Sequence, residues 1–130
     1  VGVGLLPGGG GTKEMLMRFT AELQQYEDTD LFAAVRRAFK LIAFATTSTS
    51  AFEARAYGFL RDRDRISMNR DHQLADAKQR VLDLAPGYLP PLERTVRALG
   101  REGIGNLEYA LWAAKEGGQA SAHDVRVGRA

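Results

Sequence analysis

Val1-Gly2-Val3-Gly4-Leu5-Leu6-Pro7-Gly8-Gly9-Gly10-Gly11-Thr12 sets a short apolar run against a proline, four consecutive glycines and a threonine at a helix start. β-Branched Val1 and Val3 in that run read as the end of a buried strand. Gly8 to Gly11 carry no Cβ, so their backbone can come close to a ligand or to another chain segment. Thr12, followed by Lys13-Glu14-Met15-Leu16, reads as an N-cap whose helix turns its free N–H groups and positive dipole end toward the glycines. Residue order excludes two phosphate-binding loops. A nucleotide P-loop places lysine before serine or threonine, whereas Thr12 precedes Lys13; a dinucleotide fingerprint beginning at Gly2 needs its third glycine where Pro7 stands.

Beyond the loop the pattern is helical. Leu16, Phe19, Leu23 and Tyr26 recur at helical spacing, and Asp28-Thr29-Asp30 offers a fresh cap. Leu31, Val35, Ala38, Phe39 and Ile42 then form a stripe, with Arg36, Arg37 and Lys40 on the wetter side. Phe32 and Phe44 fall partly outside it, so this helix has more than one apolar face, which predicts self-association. Thr46-Thr47-Ser48-Thr49-Ser50 interrupts the helices with side chains that compete for backbone hydrogen bonds. Ser50 with Glu53 is a capping box for a short helix through Tyr57, and Gly58 supplies a left-handed stop.

Arg61-Asp62-Arg63-Asp64-Arg65 alternates in sign and reads as a solvated turn. Asn69 or Asp71 opens a helix in which Leu74, Ala77, Val81 and Leu84 share a face; Ala85-Pro86-Gly87 ends it, and Pro90-Pro91 stiffens the connector that marks the main internal boundary. Ile104, Leu107, Leu111 and Ala114 make a further helix closed by Gly117-Gly118, with Trp112 off the stripe and packing on a neighbour. Ser121 and Asp124 open a last one.

Composition bounds function. At 130 residues and 45% apolar content the chain can form one domain with a core. Eighteen basic against 16 acidic residues give a net charge of +2, evenly spread, which argues against a nucleic-acid surface. No apolar stretch reaches the ~20 residues that span a bilayer. With no cysteine there is no thiolate zinc site, disulfide or thiol nucleophile, and His72 and His123 have no partner at metal-ligand spacing. His123 beside Asp124 reads as helix-start hydrogen bonding.

The Gly4-Leu5-Leu6-Pro7-Gly8-Gly9-Gly10-Gly11-Thr12 segment resembles the Gly-[Leu/Ile]-[Leu/Ile]-Pro-Gly-x-Gly-Gly-Thr motif of the enoyl-CoA hydratase, or crotonase, superfamily. Ser48-Thr49-Ser50-Ala51-Phe52-Glu53-Ala54-Arg55-Ala56-Tyr57-Gly58-Phe59-Leu60, Met68-Asn69-Arg70-Asp71 and Ser121-Ala122-His123-Asp124 are similar to the C-terminal hydratase-like region of long bacterial 3-hydroxyacyl-CoA dehydrogenases. The resemblance implies a mostly α fold: a strand remnant and Gly-rich loop followed by about six helices, the C-terminal helical part of a crotonase α/β fold. It divides the chain into a strand end and active-site loop at 1–12, a helical part at 13–85 and a C-terminal helical segment at 86–130, truncated at both ends relative to the family.

The implied parent is a cytoplasmic enzyme of fatty-acid β-oxidation that acts on coenzyme A thioesters, binds NAD in an upstream domain and assembles with other domains or with copies of itself. Of its site, the resemblance carries over only Gly8, whose backbone helps to orient the water or acyl group, with Pro7 and Gly9 shaping the loop. Both catalytic glutamates and both oxyanion-hole N–H groups of the family lie upstream of the matched residues. Hydration of an enoyl thioester needs a positioned acid and base as well as enolate-stabilising donors, and loss of one such donor costs on the order of a hundredfold to a thousandfold in rate. The chain alone is therefore expected to be inactive and to hold no catalytic residue, metal or cofactor. Glu14 and Glu22, on the helix after the loop, read as solvent-facing rather than as substitute acids. The alternative is a helical interaction module with no catalytic role.

Overall fold

The computed structural model describes Leu5, residues 7–21, Leu23 and residues 30–129. Among these residues the secondary structure is helical throughout: α1 (Gly11–Thr20), α2 (Phe32–Ala43), α3 (Ala51–Ala56), α4 (Gln73–Leu84), α5 (Gly100–Glu116) and α6 (Ala122–Arg129), with one-turn 3-10 helices at Gly8–Gly10, Arg70–His72 and Ala85–Gly87. The expected strand remnant at Val1 and Val3 lies outside the described residues, as do Glu22, Tyr26, Asp28 and Thr29.

Two compact units form: Val1–Leu60 with Val96–Ala130, and Arg61–Thr95. In the first, α2 packs against α1, α5 and α6, and α5 against α6. Its core is Met15 of α1, Leu31, Ala34 and Ala38 along α2, Ala54 of α3, and Leu111 and Ala114 of α5. Small side chains dominate it, so helices meet closely but bury little apolar area per residue. The stripe of α2 is therefore rotated from the one its larger side chains suggested. Ala34 and Ala38 face inward, whereas Val35, Phe39 and Ile42 are only half-buried. Arg36, Arg37 and Lys40 are exposed, as their charge requires.

Two arginines tie the end of α3 to this core. Arg18 Nη1 donates to the carbonyls of Gly58 (3.2 Å) and Phe59 (2.6 Å), and Arg37 Nη2 donates to Ala56 O (3.0 Å) while its guanidinium stands 4.5 Å from the centre of the Phe19 ring. These donors satisfy carbonyls that a helix end leaves orphaned. Gly58 must be glycine: its φ is +84°, and a Cβ there would lie 2.6 Å from Phe19 Cε1.

Local capping follows the sequence closely. Ser50 Oγ accepts from Glu53 N–H at 3.1 Å; Glu53 in return accepts from the N–H and hydroxyl of Thr49, one residue earlier than a standard box. At α6 the box is complete, with Asp124 Oδ2 accepting from Ser121 N–H and Oγ and Ser121 Oγ accepting from Asp124 N–H. These bonds run between Ser121 and Asp124, not through His123. Asp30 Oδ1 accepts from Phe32 N–H at 2.8 Å, and Asn69 Oδ1 from Asp71 N–H at 2.9 Å. Thr12, by contrast, is not an N-cap. The helix begins one residue before it, after Gly10 at φ 80° and ψ 25°, because a left-handed glycine turns the chain into α1 earlier than a threonine could.

The Arg61–Thr95 unit has a different character. Asp64 Oδ2 accepts from Arg61 N–H at 2.8 Å, and Arg65 reaches Asp83 at 3.1 Å, so the alternating charges close a solvated turn and fasten it to α4. No residue of this unit is buried. Leu74, Ala77, Val81 and Leu84 share a face as their spacing implies, yet that face is exposed. The connector at Pro90 and Pro91 lies within this unit.

Candidate functional site

Pro7, Gly8 and Gly9 stand in an exposed turn that leads straight into α1. The turn is closed by Gly11 N–H donating to Gly8 O. Pro7 packs its ring over Gly11, where a Cβ would meet Pro7 Cβ at 2.7 Å. Left-handed backbone occurs at Gly9 (φ 61°) and Gly10 (φ 80°), not at Gly8, which has open space where a side chain would go. Any need for glycine at position 8 is therefore a matter of what approaches it from outside, whereas Gly9 and Gly10 are required by the turn itself.

Among the described residues acidic groups do not gather around this turn. Glu14, one turn into α1, lies 3.8 Å from the Lys13 ammonium, and Glu22 is outside the described residues. Glu53 is a well-connected carboxylate, accepting from the Thr49 N–H, the Thr49 hydroxyl and the Tyr57 hydroxyl. The Thr49 backbone N–H first, then the Thr49 hydroxyl and the Tyr57 phenol, hold it below the ordinary glutamate value; the same bond and charge push the Tyr57 hydroxyl up. Asp124 is lowered by Ser121 N–H and hydroxyl, and Asp83 chiefly by Gln79 Nε2 at 2.9 Å. Each of these carboxylates favours its charged form, Glu53 and Asp124 as helix-start acceptors and Asp83 as the partner of Gln79 and Arg65, the opposite of what a general acid needs. Among the described residues no group of three or more His, Cys, Asp or Glu could hold a metal ion, and no helix is long and apolar enough to cross a membrane.

Exposed apolar surface is the other functional feature. It does not lie mainly on α2, where self-association was expected: Leu31, Ala34 and Ala38 are covered and Phe44 is 42% exposed. It lies on α4 and the connector after it, and on α5, where Ile104, Tyr109 and Trp112 are each more than half exposed. Trp112 stands beside Tyr109 of its own helix, ring centres 5.6 Å apart. The Arg18 and Arg37 latch was not legible in the sequence, because its acceptors lie 40 and 19 residues away and no local pattern announces them.

No protein-family model matches the chain, and no solved structure matches it. Over 129 residues, 98% of its length, it is 38% identical to a protein of Bacillus subtilis strain 168 and spans 16% of that protein's length. That relative is a probable 3-hydroxyacyl-CoA dehydrogenase, so the chain is related in sequence to one stretch of such an enzyme.

Proposed function

We infer that the chain is the glycine-loop and helical portion of a 3-hydroxyacyl-CoA dehydrogenase of fatty-acid β-oxidation, and that this portion is hydratase-like, of crotonase type. The observation that carries the reading is the 38% identity sustained across 98% of the chain. In the complete enzyme Pro7, Gly8 and Gly9 form one wall of the acyl-CoA pocket, with Gly8 presenting bare backbone to the reacting acyl group. The open space at Gly8 and the two left-handed glycines after it support that role, since they make a narrow, pre-shaped turn with nothing projecting from it. NAD belongs to another part of the parent, and so do the acid, base and oxyanion donors. The chain contributes shape and packing, not proton transfer.

Two measurements test this. The chain alone shows no turnover of a short enoyl-CoA, nor of a 3-hydroxyacyl-CoA with NAD, above buffer. Grafted in place of the aligned 129 residues of the Bacillus relative, it supports turnover of the 3-hydroxyacyl-CoA. Turnover by the isolated chain overturns the reading, and so does a folded, inactive chimera.

A second reading, a helical interaction module, is favoured by one observation: Leu74, Ala77, Val81 and Leu84, the apolar face of α4, are all exposed.

A further inference from the structure

The Arg61–Thr95 unit buries no side chain, yet Met68, Leu74, Val81, Leu84, Leu89 and Leu92 in it are all more than half exposed. Apolar surface gathered in this way marks an interaction site. Within α4, Leu74, Ala77, Val81 and Leu84 follow one another by three, four and three residues, the spacing of a seam between two helices. At 3.6 residues per turn they fall within about 80° of arc. The far side of the helix is already engaged. Asp76 accepts a hydrogen bond from Ser67 Oγ, and Asp83 pairs with Arg65, so the segment entering α4 is fastened to its acidic side and leaves the apolar side outward.

What borders the seam identifies its occupant. Lys78 flanks Leu74 on one edge and Arg80 flanks Leu84 on the other, and the remaining flanking position of α4 is Gln73. Both edges are thus free of carboxylate. A second copy of this helix laid antiparallel would set Lys78 near Lys78 and Arg80 near Arg80, and like charges across a seam oppose pairing. An anionic lipid surface fits poorly too, because recognising one takes a cluster of basic residues and the borders of this seam carry only Lys78 and Arg80. Charge complementarity favours a helix with acidic borders.

We propose that the α4 face formed by Leu74, Ala77, Val81 and Leu84 docks an amphipathic helix from outside this chain whose apolar stripe is bordered by glutamate or aspartate. The inference is independent of the acyl-CoA reading, since it concerns a different part of the molecule and needs no substrate.

The test uses the full chain and two synthetic helical peptides, both with leucine at the seam positions, one with glutamate and one with lysine at the flanking positions. Fluorescence anisotropy should show the glutamate peptide binding at least about tenfold more tightly than the lysine peptide. Val81→Asp should abolish that binding, and Lys78→Glu with Arg80→Glu should invert the preference. Circular dichroism should stay unchanged in these variants, and the thermal midpoint should stay unchanged for Val81→Asp and Lys78→Glu, whose side chains are exposed; Arg80 is half-buried and near Asp83, so its substitution is read only in protein that circular dichroism shows to be folded. Equal binding of the two peptides, no binding of the glutamate peptide by the folded chain, or binding that survives Val81→Asp would each overturn the proposal. So would sedimentation showing that the chain pairs with itself through this face, or binding to phosphatidylserine vesicles in place of the acidic peptide.

Discussion

Gly58→Ala should be among the most damaging single-methyl changes in the molecule. Two costs act together. The backbone at position 58 is left-handed, φ +84°, which an L-residue adopts at a cost of about 1–2 kcal/mol. The added methyl would sit 2.6 Å from Phe19 Cε1 and 3.1 Å from Phe19 Cζ, so the ring must shift. That ring lies under the Arg37 guanidinium, and Gly58 O accepts from Arg18, so a displacement disturbs the latch that holds α3. Overpacking of this kind costs about 1–3 kcal/mol. Together they predict roughly 2–5 kcal/mol, and a thermal midpoint lower by about 8–20 °C for a domain of this size. Urea unfolding monitored by circular dichroism reads the loss directly. Phe19→Leu in the Gly58→Ala background should recover the steric part but not the backbone part. A Gly58→Ala protein as stable as the parent, or a double mutant showing no coupling, would refute the reasoning.

Leu111→Ala, at a side chain only 3% exposed, should cost about 2–5 kcal/mol, whereas Leu84→Ala, half exposed on α4, should stay within about 0.5 kcal/mol; parallel denaturant titrations compare them. Ser121→Ala removes the hydroxyl half of the α6 cap, leaving the Ser121 N–H bonded to Asp124, and should cost about 1 kcal/mol by the same assay. Because Thr49 and Tyr57 hold the Glu53 carboxyl below its unfolded value of about 4.3, its contribution is complete above that pH and is lost as pH falls through the lower folded value. Thr49→Ala keeps the backbone N–H bond but removes the hydroxyl bond, so it should move the Glu53 titration seen by NMR part of the way upward, and an unmoved titration would remove the Thr49 hydroxyl as a cause. Tyr57 runs the other way, its contribution intact below about 10 and lost as pH rises through its raised folded value.

Features whose partners lie within one helical turn were legible in the sequence. Ser50 with Glu53, Ser121 with Asp124 and the Gly58 stop all stand where residue type and spacing put them, and of the two helix starts offered, Asn69 and Asp71, it is Asn69 that caps. Periodicity also gave the correct shared face for Leu74, Ala77, Val81 and Leu84. It could not say whether anything covers that face, because a stripe records which residues point together and not what lies opposite. On α2 the same limit worked in reverse: alanines, weak hydrophobic signals, turned out to mark the buried side because they permit close helix approach. Four glycines in a row carry no information about which is left-handed, so Gly9 and Gly10 emerged only from the backbone. The arginine latch depends on residues brought together by the fold and had no local signature.

Whether the glycine turn touches the reacting acyl group in the complete enzyme is read from Gly8→Val made in the turnover-competent chimera. The backbone at Gly8 is not left-handed and a Cβ there meets nothing within 4 Å, so the thermal midpoint should move by no more than a surface change does, about 0.5 kcal/mol in stability. An acyl group displaced by about 1 Å reacts on the order of a hundredfold more slowly, so turnover of an enoyl-CoA or 3-hydroxyacyl-CoA should fall by about that factor. Undiminished turnover in a stably folded Gly8→Val enzyme would contradict the account.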